Sequence, residues 1–180
     1  LRSATHAFEL MLSAFILGLA LGAFWVHRRA DQFRDPLRTL GHVQCLMGCL
    51  ALATLPLYLA SFQWMAWLIA AFGQTGPGYV AYTLARYGIC LAVMLPATFC
   101  AGMTLPLLTR ILLIAGHGER AIGWVYGVNT LGAILGVILA GLLLLPLVGL
   151  KALLLIGAAG DIGLGMLLLR FRVSPLQYAP

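Results

Sequence analysis

The chain has 180 residues, of which 62% are hydrophobic and only 9% are charged. A water-soluble domain carries roughly 25% charged residues, so this composition excludes soluble enzymes and disordered linkers and requires lipid as the solvent. The formal net charge of +6 comes from basic residues at the rims of apolar runs, which is typical of membrane topology and argues against a nucleic-acid partner.

Five apolar runs approach the length of about 20 residues that a transmembrane helix needs. In chain order they are residues 7–26, 40–60, 79–109, 122–145 and 152–169. Pro96 and Pro106 predict a kink or an early exit within the third run. Residues 61–72, which include Trp64 and Trp67, predict a short interfacial helix. The sequence therefore predicts an all-α polytopic transmembrane bundle of about five spans in a single domain.

The distribution of basic residues predicts the orientation of the bundle. One side receives Arg28, Arg29, Arg34, Arg38, Arg110, Arg120, Arg170 and Arg172. The other side receives Arg2 and Lys151, with Arg86 just inside the third run. Because basic loops face the cytoplasm, we expect a bacterial inner-membrane protein whose N-terminus is outside and whose C-terminus is cytoplasmic. The start at Leu1 rather than Met indicates either a processed chain or a fragment of a longer one, and we expect a fragment.

Polar side chains inside the apolar runs are the candidate solute or ion-pair residues. They are Asp161, Arg86, Glu9 and Asn129. A charge at the centre of a membrane helix costs about 2.5–3.5 kcal/mol, so such residues are usually functional or paired. Asp161 lies near the middle of the fifth run, and we expect it to meet Arg86 if the third and fifth helices touch. A cation, polyamine or proton-relay site and a structural ion pair or protonated carboxyl remain alternative interpretations.

Other residue patterns predict packing rather than chemistry. Small residues recur at the spacing of closely packed membrane helices. They are Gly18 and Gly22 on the first run, Gly123, Gly127, Gly132, Gly136 and Ala140 on the fourth, and Gly157 and Gly165 on either side of Asp161 on the fifth. His42, Cys45 and Cys49 share one helical face, but ligands from a single helix suit tetrahedral zinc poorly. We therefore expect no metal, no cofactor, no catalytic residue and no enzyme activity in this chain.

The segment after the first run reads GAFWVHRRADQFR from residue 22 to residue 34. It resembles the cytoplasmic loop between the second and third helices of major facilitator transporters. The resemblance implies that a glycine ends one helix and that an aspartate with flanking arginines latches the next. The residues it assigns to this cytoplasmic loop latch are Gly22, Arg28, Arg29, Asp31 and Arg34.

Three longer stretches extend the resemblance over residues 3–172. They are FELMLSAFILGLALG from residue 8, PATFCAGMTLPLLTR from residue 96 and GERAIGWVYGVNTLGAILGVILAGLLLLPLVG from residue 118. They resemble the membrane domain of the fused major-facilitator-like spermidine synthases. This resemblance implies half of a major facilitator fold in a membrane module that anchors a cytoplasmic aminopropyltransferase domain and passes a small solute. The alternative is a structural accessory subunit of a larger membrane complex.

Overall fold

The computed structural model describes residues 2–29, 32–33, 35–72 and 76–170. They form five α-helices and one π-helical segment: α1 Arg2–Arg29, α2 Pro36–Phe72, α3 Gly76–Ile114, α4 Arg120–Val137, the π segment Ile138–Leu144 and α5 Leu145–Arg170. The predicted all-α class is confirmed for the described part of the chain.

Four helical stretches are long and apolar enough to cross a bilayer: Phe8–Arg29, Pro36–Leu57, Thr83–Ile114 and Arg120–Arg170. Four such helices are compatible with an integral membrane protein. The predicted count of about five separate spans is not confirmed, because Arg120–Arg170 is one candidate stretch of 51 residues. A non-helical residue, Gly149, interrupts it with φ 77° and ψ 167°. That positive φ is readily adopted only by glycine.

The helices pack in a row in which α3 lies between α1 and α2, and α2 lies between α3 and α5. Helices α1 and α3 run parallel, since Gly18 faces Thr98 and Gly22 faces Gly102. Helices α2 and α5 run antiparallel, since Gly41 faces Gly165 and Gly48 faces Ala158. In lipid, small residues of this kind allow close backbone approach.

The base of the bundle is the end where α1, α3 and α5 finish and where α2 and α4 begin. Its described arginines are Arg28, Arg29, Arg38, Arg110, Arg120 and Arg170. Near this end lies the hydrophobic core, formed by Val26, Leu40, Val43, Cys100, Met103 and Leu107. The stretch that leaves the base at Arg120 returns to it at Arg170, which requires the chain to reverse around Gly149.

Two local predictions differ from the structure. Residues 61–72 are the continuation of α2, which contains Pro56, and do not form a separate interfacial helix. Helix α3 continues through both Pro96 and Pro106 to Ile114, so neither proline ends the helix. Each proline removes only one backbone hydrogen bond.

Candidate functional site

The described part of the α1–α2 connection differs from the latch that the resemblance implies. Gly22 does not end the first helix, because α1 continues to Arg29. Instead, Gly22 lies against the backbone of Phe99 and Gly102 on α3. Asp31 and Arg34 lie outside the described residues, so their part in the latch stays a prediction.

The two latch arginines in the described part stack on aromatic rings. The guanidinium of Arg28 lies 4.5 Å from the ring centroid of Phe24, and that of Arg29 lies 4.6 Å from Trp25. These distances are typical of cation–π contacts. The Trp25 ring also packs on Phe33 at 5.9 Å and on Phe99 at 6.2 Å. This cluster joins the end of α1 to α3 and to the connection before α2.

An acidic residue missed by the sequence analysis caps the start of α2. The Asp35 carboxylate accepts a hydrogen bond from the Arg38 backbone N–H at 3.1 Å, and its other oxygen lies 3.4 Å from Arg38 Nε. Asp35 precedes Pro36, the first residue of the helix. Aspartate at the N-cap followed by proline is a recognised helix-start pattern, so the sequence contained the signal.

Glu9 and Arg86 lie near the end of the bundle opposite the base. Helices α1 and α3 are linked there by a hydrogen bond from the Ser13 hydroxyl to the Tyr87 hydroxyl at 3.3 Å. Glu9 is exposed and Arg86 is half-buried. The structure thus brings these two candidate residues to one region of adjacent helices.

Asp161 does not meet Arg86. Helix α2 lies between α3 and α5. Asp161 is nine residues from Arg170 at the base, or about 14 Å of helix, whereas Arg86 is 24 residues from Arg110, or about 36 Å. Among the described residues no ion pair is formed by either side chain. The condition for that pair, contact between the third and fifth apolar runs, is not met, because α2 lies between α3 and α5 and the two side chains differ in depth.

The surroundings of Asp161 belong to the α2–α5 contact. A Cβ atom placed on Gly48 would lie 3.2 Å from the Asp161 Cβ. One turn nearer the base on α2 is Gln44, which is 9% exposed, and its Oε1 has no hydrogen-bond donor within the described part of the chain. The sequence analysis missed Gln44. Asn129 was selected because it is an amide inside an apolar run, and Gln44 is one as well.

Asn129 lies on the exposed side of α4, next to a groove. Helix α4 packs on α3 only near its start, where Ala121 and Val125 are buried. Beyond that contact the two helices enclose a groove of about 410 Å³. It is lined by Thr104, Leu105, Leu108, Leu112, Trp124, Val125, Val128 and Asn129. No described residue forms a hydrogen bond with the Asn129 amide.

The histidine and cysteine of the shared α2 face bond to neighbouring backbone. His42 Nδ1 donates to the Arg38 carbonyl at 2.8 Å, and Cys45 Sγ donates to the Ile162 carbonyl at 3.8 Å. The described residues contain no group of three or more histidine, cysteine, aspartate or glutamate side chains placed to hold a metal ion.

Comparison of the chain with protein-family models, curated proteins and solved structures finds no match. The resemblance to the membrane domain of the fused spermidine synthases therefore stays a prediction.

Proposed function

We propose that this chain is an integral membrane module that belongs to a larger helix bundle, in which a further membrane-spanning helix packs on α4. The resemblance makes that larger protein spermidine-synthase-like, with the module anchoring a cytoplasmic aminopropyltransferase domain near the arginine-rich base. A structural subunit of a membrane complex would use the same face of α4. The proposal assigns no catalytic step to the chain itself.

The observation that carries the proposal is a hexapeptide pattern that occurs twice, once packed against another helix and once uncovered. Leu-Gly-x-x-Leu-Gly occurs at residues 17–22 of α1 and again at residues 131–136 of α4. On α1 both glycines touch α3, and a Cβ on Gly22 would overlap the Phe99 carbonyl. On α4, a Cβ on Gly132 or Gly136 would meet nothing within 4 Å. The α4 copy thus has the form of a packing face that lacks a helix.

The Asn129 amide supports a protein partner rather than lipid on this face. Asn129 precedes Gly132 by three residues and lies on the same side of α4. It is nine residues from Arg120, or about 14 Å into the helix, which is near the middle of a bilayer. Acyl chains offer no hydrogen bonds there, whereas a neighbouring helix supplies them.

The small contact of α4 with its neighbours agrees with this interpretation. Helices α4 and α5 do not pack on each other along their described lengths, and the groove beside Asn129 continues the α3–α4 contact at Val125. A helix in this space would bury the large exposed side chains that flank the glycines. It would also hydrogen-bond to the amide.

The test compares two open glycines on opposite faces of α4. Gly136→Leu lies on the proposed packing face. Gly127→Leu is the matched control, since it also meets nothing within 4 Å and borders a groove of about 420 Å³ on the other side. The described bundle alone predicts the same small effect for both variants. The proposal predicts that only Gly136→Leu is destabilising, by about 1–3 kcal/mol from overpacking.

Pulse proteolysis of the full-length protein in isolated membrane vesicles measures the difference before any partner is extracted. A lower unfolding temperature for Gly136→Leu than for Gly127→Leu is the expected result. Equal unfolding temperatures would mean that lipid covers the face, and the larger bundle would then be abandoned.

A further inference from the structure

Gln44 is a buried amide with an unused acceptor. Its side chain is 9% exposed, and no donor in the described part of the chain reaches its buried Oε1. A buried polar atom without a partner costs about 1–3 kcal/mol, and the hydrocarbon core provides no water to relieve that cost. The position therefore calls for a hydrogen-bond donor or a cation.

Asp161 brings a carboxyl group to the same helix contact. It lies on α5 beside Gly48 of α2, where a Cβ would approach the Asp161 Cβ to 3.2 Å. The carboxyl is half-buried, and it has neither a hydrogen-bond donor nor a cationic partner among the described residues. An ionised carboxylate at this depth requires a positive charge.

The two side chains lie on the same side of the α2–α5 contact. Gln44 precedes Cys45 and Asp161 precedes Ile162, and Cys45 Sγ contacts the Ile162 carbonyl at 3.8 Å. In two antiparallel helices, the residues that precede two contacting residues project to the same side of the contact. Gln44 and Asp161 hold these positions. Along the helix axes, Gln44 and Asp161 are about one helical turn apart, as judged from the residues that face each other across the contact. This separation is within the combined reach of the two side chains.

We propose that Gln44 and Asp161 bind a small monovalent cation, either a metal ion such as Na⁺ or a protonated amine. The carboxylate supplies one negative charge, and the amide oxygen supplies a neutral ligand or hydrogen-bond acceptor. One carboxylate neutralises one positive charge, whereas Ca²⁺ sites typically draw several oxygen ligands, including carboxylates. The inference depends on α2 and α5 and is independent of the helix proposed to cover α4.

Binding of radioactive Na⁺ to the purified full-length protein, in a scintillation proximity assay, tests the site. In the wild type we expect saturable binding of one Na⁺ per chain. Methylammonium, a protonated amine, should compete with Na⁺ for the same site. Displacement at lower concentration by methylammonium than by unlabelled Na⁺ identifies the amine as the ligand, and the reverse identifies the metal ion. Absence of saturable binding of either cation would overturn the proposal.

Three variants separate the site from general effects on the fold. Asp161→Asn keeps the shape but removes the charge, and we expect it to abolish binding. Gln44→Met removes the amide and should weaken binding about tenfold, the effect of losing roughly one hydrogen bond. The cation-free variant should be more stable than the cation-free wild type, because the unpartnered buried oxygen is gone. The control Asp35→Asn makes the same carboxylate-to-amide change outside the contact and should bind normally. Unchanged binding in Asp161→Asn, or equal loss in Asp35→Asn, would refute the site.

Discussion

Replacement of Gly22 by alanine tests whether close backbone contact holds α1 on α3. An ideal Cβ on Gly22 would overlap the Phe99 carbonyl oxygen, and it would lie 3.0 Å from the Phe99 carbonyl carbon and 3.2 Å from that of Gly102. All three atoms belong to the α3 backbone, so no side chain can rotate away. The two helices must separate.

The expected loss of stability follows from two opposing terms. Overpacking a tight contact costs about 1–3 kcal/mol, and separation of the helices also weakens the neighbouring contacts of Gly18 and Gly102. The higher helix propensity of alanine returns about 1 kcal/mol at most. The net result for Gly22→Ala is a lower free energy of unfolding, by about 1–2 kcal/mol.

Gly163→Ala is the matched control on α5, since a Cβ there would meet nothing within 4 Å. It gains the helix propensity without the collision, so its stability should stay level or rise by up to about 1 kcal/mol. Titration with SDS in mixed micelles, followed by helical circular dichroism, measures both variants. Similar unfolding midpoints for Gly22→Ala and Gly163→Ala would refute the argument that backbone contact defines the α1–α3 interface.

Two other predictions concern the base of the bundle and use the same SDS titration. Asp35→Ala should lower the free energy of unfolding by about 1 kcal/mol because it removes the N-cap of α2, whereas Asp35→Asn should keep most of that stability; identical losses would argue against capping. Trp25→Ala should cost about 3–5 kcal/mol through the cavity left beside Phe33 and Phe99, and Trp25→Phe should cost much less. Equal midpoints for the two Trp25 variants would show that the aromatic cluster does not stabilise the fold.

Two local predictions failed because proline and tryptophan do not by themselves end a helix. Helix α2 continues through Pro56 to Phe72, and α3 continues through both of its prolines. Each proline removes one backbone hydrogen bond and leaves the rest of the helix hydrogen-bonded. The N-cap at Asp35, in contrast, was readable from the sequence because capping depends only on residues close in the chain.

The candidate site residues also divide into those that the sequence identifies and those that only the tertiary structure reveals. Asp161 and Asn129 were found from the sequence because polar groups are rare in apolar runs. Gln44 satisfied the same criterion, but its importance depends on its burial, which the sequence does not show. The pairing of Asp161 with Arg86 depended on contact between α3 and α5, and only the order of the helices shows that this contact is not made.

Composition and hydropathy by themselves indicated an all-helical chain compatible with a membrane, because a backbone in hydrocarbon must satisfy its own hydrogen bonds. Glycine spacing also indicated that some faces would pack closely. Only the tertiary structure decided that Gly22 touches α3, that Gly48 lies beside Asp161 and that a Cβ on Gly136 would meet no described atom within 4 Å. The physical reason is that lipid is as apolar as leucine, so hydrophobicity does not select helix neighbours, and shape and hydrogen bonding across the contact do.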